Sequence, residues 1–519
     1  MNSTIKKILY LLSFIEGGAV MATELLGVKM LAPYFGSSLY VWASVLAVTL
    51  GGLTIGYFWG GLLSEKENAK SLLFKITLAA AILLAFMPLT ANFILGIIGG
   101  FDLVPAILFS SILILAPPLI CMGMVSPILI RLLSEIVEKS GKMAGRIYAI
   151  STVGGIVSTL LLGFYLIPTF GLIRLALAFG FILGIIPVIM LYKQKKALAF
   201  LSIILFLIPL LLIFRPSNES TIEILYKSEG LLGQLMVSDY PVTEENGEVI
   251  KVRFLLNNRC IQSVYNPAAT GNKYLAYILG VTNAASIYPK GSKALILGIG
   301  GGGIANEFSR LGFSIDAVDL DKRVGYVART YFDMDEKVNV IIDDARHYIR
   351  NCKKKYDLLA IDIYQAETNP SHILTKENLD EIEKIMEPDG LVIINSPGFI
   401  TGKIGKGVRS VYKTLVNKGL KVKVLPTPGP EGDRNILFLA SFNEKDFSKN
   451  RLDDLDIINL NIKKRFLNPE QINTKDAIVL TDDLPVLNVL NGNANRAWRK
   501  GIIESNIRDY SRKGIPLFY

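Results

Sequence analysis

Histidine is almost absent from this 519-residue chain: His347 and His372 are the only two. A Ser-His-Asp triad or a histidine-built zinc site therefore has almost no raw material. Cysteine is equally sparse. Cys121, Cys260 and Cys352 are odd in number, widely spaced and outside any CxxC or metal-ligand pattern, so no disulfide framework is expected. Charge is scarce too, at 19% of residues against 51% hydrophobic, with a mean hydropathy of +0.42. That composition excludes a disordered or collagen-like chain and is too apolar for a wholly soluble protein of this size. The net charge of +10 comes mostly from the apolar part, with 14 Lys+Arg against 7 Asp+Glu up to residue 214 and 41 against 38 after it. So small a surplus in the second part argues against a large nucleic-acid-binding surface. Chemistry must come from carboxylates, tyrosines or a cofactor.

Residues 7–32, 39–63, 72–98, 103–133, 147–166, 172–192 and 197–214 are each long and apolar enough to cross about 30 Å of hydrocarbon as a helix. The sequence predicts a polytopic transmembrane domain of about seven helices over 1–214, anchored rather than cleaved, since no small-residue cleavage site follows the first span. Pro117-Pro118 marks a break or kink in the fourth. Lys66 and Lys70, then Arg131, Lys139, Lys142 and Arg146, then Lys193, Lys195 and Lys196 fall in alternate loops on the side of the N-terminus, which reads as cytoplasmic. Seven spans would put the remainder on the opposite side, whereas a nucleotide-like cofactor calls for a cytoplasmic domain. Glu16, Glu24, Lys29 and Arg174 stand inside or at the edge of apolar segments, where charge is costly and often functional. Pairing between Glu24 and Lys29 and close helix packing at Gly51, Gly52, Gly56, Gly60 and Gly61 are the structural readings.

Beyond Phe214 charge becomes dense and apolar runs shorten to strand length. Residues 215–290 read as a small β-rich subdomain of hairpins, with Asn257-Asn258 as one turn. Over 291–519 strands and helices alternate: KALILGI, IDAVDL, VNVIID, YDLLAIDI and GLVIIN each precede or follow a helical stretch. That alternation predicts a doubly wound, Rossmann-like parallel sheet.

Gly298, Gly300, Gly301, Gly302 and Gly303 form a strand-to-helix turn that lets the backbone approach a ligand. Asp319, 21 residues after Gly298, ends the next strand, where a carboxylate can accept both ribose hydroxyls of an adenosine. Together they predict a nucleoside-type cofactor. Asp343-Asp344-Ala345 follows the third strand, as an adenine-side acid or as a helix cap. Asp362 ends the fourth strand at the same edge and faces the position of a reacting group, whereas Asp357, at the opposite edge, reads as structural. His347 and His372 read as solvated. The basic stretch around Trp498 suits either a membrane-surface contact or a solvated face.

In order and spacing, LILGIGGGG, AVDLD, DDARHYI, YDLLAIDIYQ and NPSHILTKENLDEIEKIMEPDGLVIIN resemble the spermidine synthase family of aminopropyltransferases. The N-terminal TELLGVKMLAPYFGSSLYVWASVLAVTLGGLTIGYFWGG and the late LTDDLP are similar to its membrane-fused branch. The resemblance implies an S-adenosylmethionine-type fold, with decarboxylated S-adenosylmethionine as co-substrate, a polyamine such as putrescine as acceptor, and no metal. It implies Asp362 as the catalytic acid. Gln234, Gly298, Gly300, Gly301, Asp319, Asp344 and Ala345 would then lie at the cofactor, and Tyr274, Tyr364, Gln365 and Glu367 at the amine. The chain departs from the soluble enzymes in carrying Gly302 or Gly303 and Gln365 where they carry aspartates. It also lacks their Tyr-His-Glu cluster, for which Tyr274 and Tyr277 are the nearest groups. Expected partners are a small polyamine and membrane lipid, without nucleic acid and with self-association open. The competing readings are a methyltransferase using intact S-adenosylmethionine and a ligand-sensing or transport membrane protein. For the former, residues 299–304 offer no polar side chain to hold the cofactor's carboxylate.

Overall fold

A computed structural model of the chain describes residues 3–36, 39–98, 101–134, 140–192, 196–213, 222–230, 232–243, 247–267, 275–364, 371–447, 465–497, 501 and 504. The chain divides into two compact units. One comprises Met1–Ser220 with Lys227–Leu235, the other Met236–Gly501 with Thr221–Tyr226.

The first unit is helical: α1 (Ser3–Phe35), α2 (Leu39–Ser64), α3 (Ala69–Ile97), α4 (Leu103–Gly123), α5 (Val125–Leu133), α6 (Ser140–Leu161), α7 (Ile167–Tyr192) and α8 (Lys196–Ile213). Among the described residues, five helical runs are long and apolar enough to cross a membrane: Ser3–Phe35, Leu39–Ser64, Ala69–Ile97, Leu103–Leu133 and Ser140–Tyr192. The seven apolar stretches of the sequence therefore become five runs and one shorter helix. Helical hydrogen bonding carries on from α6 through a π-helical turn at Leu162–Leu166 into α7, so that 147–166 and 172–192 share one run. A break remains inside it, at Gly171 (φ 74°, ψ 175°). The 197–214 stretch falls on α8, whose apolar part is Phe200–Leu211.

Helix α1 packs on α6, α2 on α4 and α3 on α7. Glycine makes the first two contacts close. A Cβ at Gly17 would collide with the Ser151 carbonyl and one at Gly154 with the Phe14 carbonyl, while Gly56 lies against Ile120 and Gly123. Gly51 and Gly61 face open space, so the packing stripe on α2 is Gly52, Gly56 and Gly60 alone. Lys29 Nζ donates to the carbonyl of Gly230, 2.9 Å away, within the Lys227–Leu235 segment of the same unit.

Most of the second unit's first part is a four-stranded sheet in the order β1-β2-β3-β4, formed by β1 (Glu223–Ser228), β2 (Leu235–Thr243), β3 (Val249–Asn257) and β4 (Cys260–Tyr265), of which only Lys227, Ser228 and Leu235 count with the first unit. The β3–β4 hairpin turns through Asn258 and Arg259, both at positive φ (46° and 64°), as a two-residue loop matched to strand twist requires. The turn sits one residue later than the Asn257-Asn258 pair read from the sequence.

Next comes a seven-stranded sheet built from β5 (Lys293–Leu297), β6 (Ser314–Asp319), β7 (Asn339–Ile342), β8 (Tyr356–Ile361), β9 (Met386–Pro397), β10 (Lys421–Pro426) and β11 (Asn435–Ser441), in the order β10-β11-β9-β8-β5-β6-β7. Neighbouring strands from β7 to β9 are parallel, and β11 is antiparallel to both β9 and β10. The covering helices are α9 (Ala276–Ala285), α10 (Gly303–Leu311), α11 (Lys322–Phe332), α12 (Ala345–Asn351), α13 (Lys376–Ile385) and α14 (Lys406–Asn417). The central strands are apolar on both faces, with Leu295, Leu297 and Leu359 on one and Ile296, Leu358 and Ile393 on the other essentially fully buried, as a sheet covered on two sides demands. Asp321 and Thr375 cap α11 and α13 through their side chains. The winding direction reverses between β5 and β8, and at such a point a crevice opens beyond the carboxyl ends of the strands.

Candidate active site

Backbone hydrogen bonds past the strand ends bring the predicted residues to one edge. Gly298 N donates to Val318 O (2.8 Å), Asp362 N to Leu297 O (2.9 Å) and Asp343 N to Asp319 O (3.1 Å). Gly298, Asp319, Asp343 and Asp362 therefore stand in a row across β5, β6, β7 and β8. The glycine turn is tight for a reason found at its first residue. Gly298 has φ 91°, and a Cβ there would collide with the backbone carbonyl of Asp362. Gly300 and Gly302 are also left-handed, and Gly301 packs against Phe332 and Ser263.

Asp319 does two things. Its Oδ2 accepts the Ile299 amide (3.0 Å) and its Oδ1 the Asp321 amide (2.9 Å), which ties the glycine turn to the end of β6. Burial pushes its carboxyl above the usual range, opposed by these amides. Each carboxylate oxygen keeps a further lone pair, so ribose hydroxyls fit as additional donors.

Asp344 caps α12, its Oδ1 accepting the amides of Arg346 and His347 at 3.0 Å each. Its Oδ2 lies 3.8 Å from His372 Nε2. The carboxylate is half-exposed, and its second oxygen remains available to an amino donor. The capping and adenine-side readings of Asp344 are thus compatible, one per oxygen. Ala345 is the first residue of α12, beside it. His347 is exposed and turned to Asp343, with Nδ1 at 2.9 Å from the carboxylate.

Asp362 is held from two sides. Tyr277, on α9, donates its phenol to Oδ2 (2.8 Å), and Asn395, near the end of β9, donates Nδ2 to Oδ1 (2.8 Å). Asn435, the first residue of β11, donates to Asn395 Oδ1 (3.0 Å) and fixes that amide's orientation. Burial raises the Asp362 carboxyl above the usual carboxylate range, and the two donors hold it partly back. Burial, then the neighbouring Asp362, pushes the Tyr277 phenol well up, so it stays a donor. The Tyr364 hydroxyl bonds the Asn395 carbonyl (3.2 Å).

The expected amine-side residues Tyr274, Gln365 and Glu367 lie outside the described residues, as does Trp498. Gln234 is buried and donates to Glu229 Oε1 (2.7 Å); both belong to the Lys227–Leu235 segment of the first unit. Four residues of the site were not singled out from sequence: Tyr277 as the Asp362 donor, Asn395, Asn435, and Ser263, whose Oγ on β4 accepts the Gly301 amide at 2.8 Å. The LTDDLP run has a structural task. Asp482 makes a bidentate pair with Arg346 (2.7 Å at both nitrogens) and accepts from Thr375 Oγ1 (2.7 Å), which locks α12 to the start of α13. Among the described residues no group of three or more His, Cys, Asp or Glu side chains is placed to hold a metal ion.

Residues 275–429, which contain the glycine turn, Asp319, Asp344 and Asp362, match the spermine/spermidine synthase domain. The C-terminal region carries a spermine/spermidine synthase domain. Relatives of this synthase domain include a polyamine aminopropyltransferase of Vibrio vulnificus, 27% identical over 32% of this chain and 57% of the relative. Another, from Thermoplasma volcanium, is 34% identical over 24% of the chain and 49% of the relative. The chain thus spans about half the length of the curated relatives it matches. Among solved structures, the spermidine synthase of Thermotoga maritima aligns with a TM-score of 0.38 at 14% identity, over 49% of this chain and 87% of that one.

Proposed function

We propose that the protein is a membrane-attached aminopropyltransferase that moves the aminopropyl group of decarboxylated S-adenosylmethionine onto a di- or polyamine such as putrescine. The observation that carries this reading is Asp362. It is a buried carboxylate at the end of β8, against the glycine turn, with Tyr277 and Asn395 fixing its two oxygens. The synthase-domain match over 275–429 supports it.

In this reading the turn from Gly298 to Gly301 and the Asp319 carboxylate hold the nucleoside, and Asp344 meets the adenine amino group. The amine nitrogen attacks the methylene beside the sulfonium, that carbon–sulfur bond breaks, and the adenosyl thioether leaves. Asp362 takes the proton lost by the amine, and its raised pKa brings it nearer to what a general base at neutral pH needs. Its negative charge also draws the cationic acceptor into line with the sulfonium. Tyr274, Tyr364, Gln365 and Glu367 border the amine in this scheme.

The helical runs support attachment to a membrane, and the nucleoside co-substrate calls for a cytoplasmic synthase domain. A C-terminal fluorescent-protein fusion tests that side: fluorescence is expected, and its loss with surface display of the tag would reverse the orientation.

The reaction itself is tested with the full chain in detergent, supplied with decarboxylated S-adenosylmethionine and putrescine. Methylthioadenosine release is expected, and Asp362→Asn should slow it by at least about 100-fold, the usual range for a lost general base, without weakening co-substrate binding. Methyl transfer from intact S-adenosylmethionine in place of that release would hand the site to the methyltransferase reading. Binding of neither cofactor by the folded protein would favour a sensing or transport role for the helices.

A further inference from the structure

Glu16 stands 13 residues into α1, about 20 Å along the helix axis from its start at the usual 1.5 Å rise, and is only 3% exposed. Its one hydrogen bond among the described residues comes from Ser151 Oγ on α6, at 3.3 Å. No Lys, Arg or His among the described residues lies within ion-pair distance of it. A carboxylate placed so deep is expensive unless something offsets it. Packing alone does not account for it, because it does not face a filled interior.

Glu16 lines a cavity of about 380 Å³, walled by α1, α2, α5 and α6. That volume lies within the range of small-molecule sites. Glu16 is its only charged lining group. Two aromatic rings, Tyr57 and Tyr148, stand at the wall and are 42% and 46% exposed, which puts them at the mouth. Ser126, Ser151, Thr152 and Thr159 bring hydroxyls to the lining, and Val20, Met21, Leu53, Ile156 and Leu160 bring hydrocarbon.

We propose that this cavity is a binding site for a singly charged organic ammonium ion with an apolar body, with Glu16 as its counter-ion. The match is one of charge count and surface. One carboxylate neutralises one ammonium, tyrosine faces attract the same cation, and the aliphatic wall takes the body of the ligand. A neutral molecule leaves the carboxylate without an offset. A dication brings a second charge that no second carboxylate of the lining meets. The ammonium can come from a free amine or from a lipid headgroup, since Tyr57 and Tyr148 are exposed on the outside of the helical unit. The inference does not rest on the transfer reaction proposed above.

The test uses the full chain carrying Asp362→Asn in dodecyl maltoside, so that amine binding at the synthase site does not contribute. The probe is tritiated phenethylammonium, read by scintillation proximity, with unlabelled competitors. Glu16→Gln should weaken binding at least tenfold, and 2-phenylethanol and putrescine should each compete at least tenfold less well than phenethylammonium. Competition by phosphatidylethanolamine at equal strength would name a lipid as the natural source, and its failure to compete would name a free amine. Unchanged binding in a folded Glu16→Gln protein overturns the site. Putrescine competing as well as phenethylammonium overturns the single-charge assignment. Should Glu16→Gln fail to fold, Thr159→Phe narrows the cavity from α6 and leaves the carboxylate in place. Loss of binding in that variant supports the site, and retention overturns it.

Discussion

The phenol of Tyr277 and the Asp362 carboxylate are joined by a 2.8 Å hydrogen bond that runs from α9 to the end of β8, across 85 residues of sequence. It lowers the carboxyl's pKa against the burial that raises it, as does the Asn395 amide on the other oxygen. Removing either donor lets burial act with less opposition. A general base works only when deprotonated, so the acid limb of kcat/KM should move to higher pH in Tyr277→Phe and in Asn395→Ala, with the rate near pH 9 much less affected. A pH–rate profile of each variant beside wild type checks this, and an acid limb that stays in place would remove Asp362 from the role of base.

Asp319 receives two backbone amides besides the proposed ribose hydroxyls. Asp319→Ala should weaken decarboxylated S-adenosylmethionine binding by about 1.5–3 kcal/mol, the range for hydrogen bonds to a charged group. Asp319→Asn, which keeps one acceptor oxygen, should fall between. Calorimetric titration of the two variants gives the order, and equal affinity in all three proteins would refute the ribose assignment.

Gly298 combines a left-handed backbone with direct apposition to the Asp362 carbonyl. Gly298→Ala should cost about 1–3 kcal/mol of stability from backbone strain alone. Because the displaced atom belongs to Asp362, turnover should fall more than the folded fraction does. Thermal unfolding and kcat measured on the same preparation separate the two effects.

Arg346 is nearly buried, and its pairing first with Asp482 and then with Glu381 holds it firmly charged. Arg346→Ala should destabilise the synthase domain by about 2 kcal/mol, the cost of charge-assisted hydrogen bonds, reduced because Asp482 is partly exposed. The hydrogen bonds from Arg346 depress the Asp482 pKa, so its stabilisation is present above the ordinary carboxylate range and is lost as pH falls through the depressed value. In Arg346→Ala the acid limb of the unfolding curve should therefore flatten, which thermal midpoints between pH 2 and 7 will show.

The sequence carried the strand-edge residues plainly, because period and order place them. Each of Gly298, Asp319, Asp344 and Asp362 follows an apolar run, and parallel strands of similar length end level with one another. The supports of Asp362 were harder to read. Asn395 looks like the last residue of an ordinary strand, and Asn435 reaches it only because β11 inserts antiparallel between β9 and β10. Ser263 meets Gly301 through the fold of the smaller sheet, 38 residues away, which no local pattern announces. The 147–166 and 172–192 stretches fall in one helical run through Leu162–Leu166, yet the break at Gly171 stands between them, where the sequence separates the two.

The place of β11 also orders events in time. Strand β10 is made before β11, yet β11 lies next to β9, so β10 gains no neighbour in the sheet until the hairpin it forms with β11 has closed and docked as one piece. Asn435 arrives with that hairpin. On a chain emerging from the ribosome, Asp362 is thus synthesised early but receives its last oriented neighbour late, and the competence of the carboxylate reports that the whole sheet has assembled.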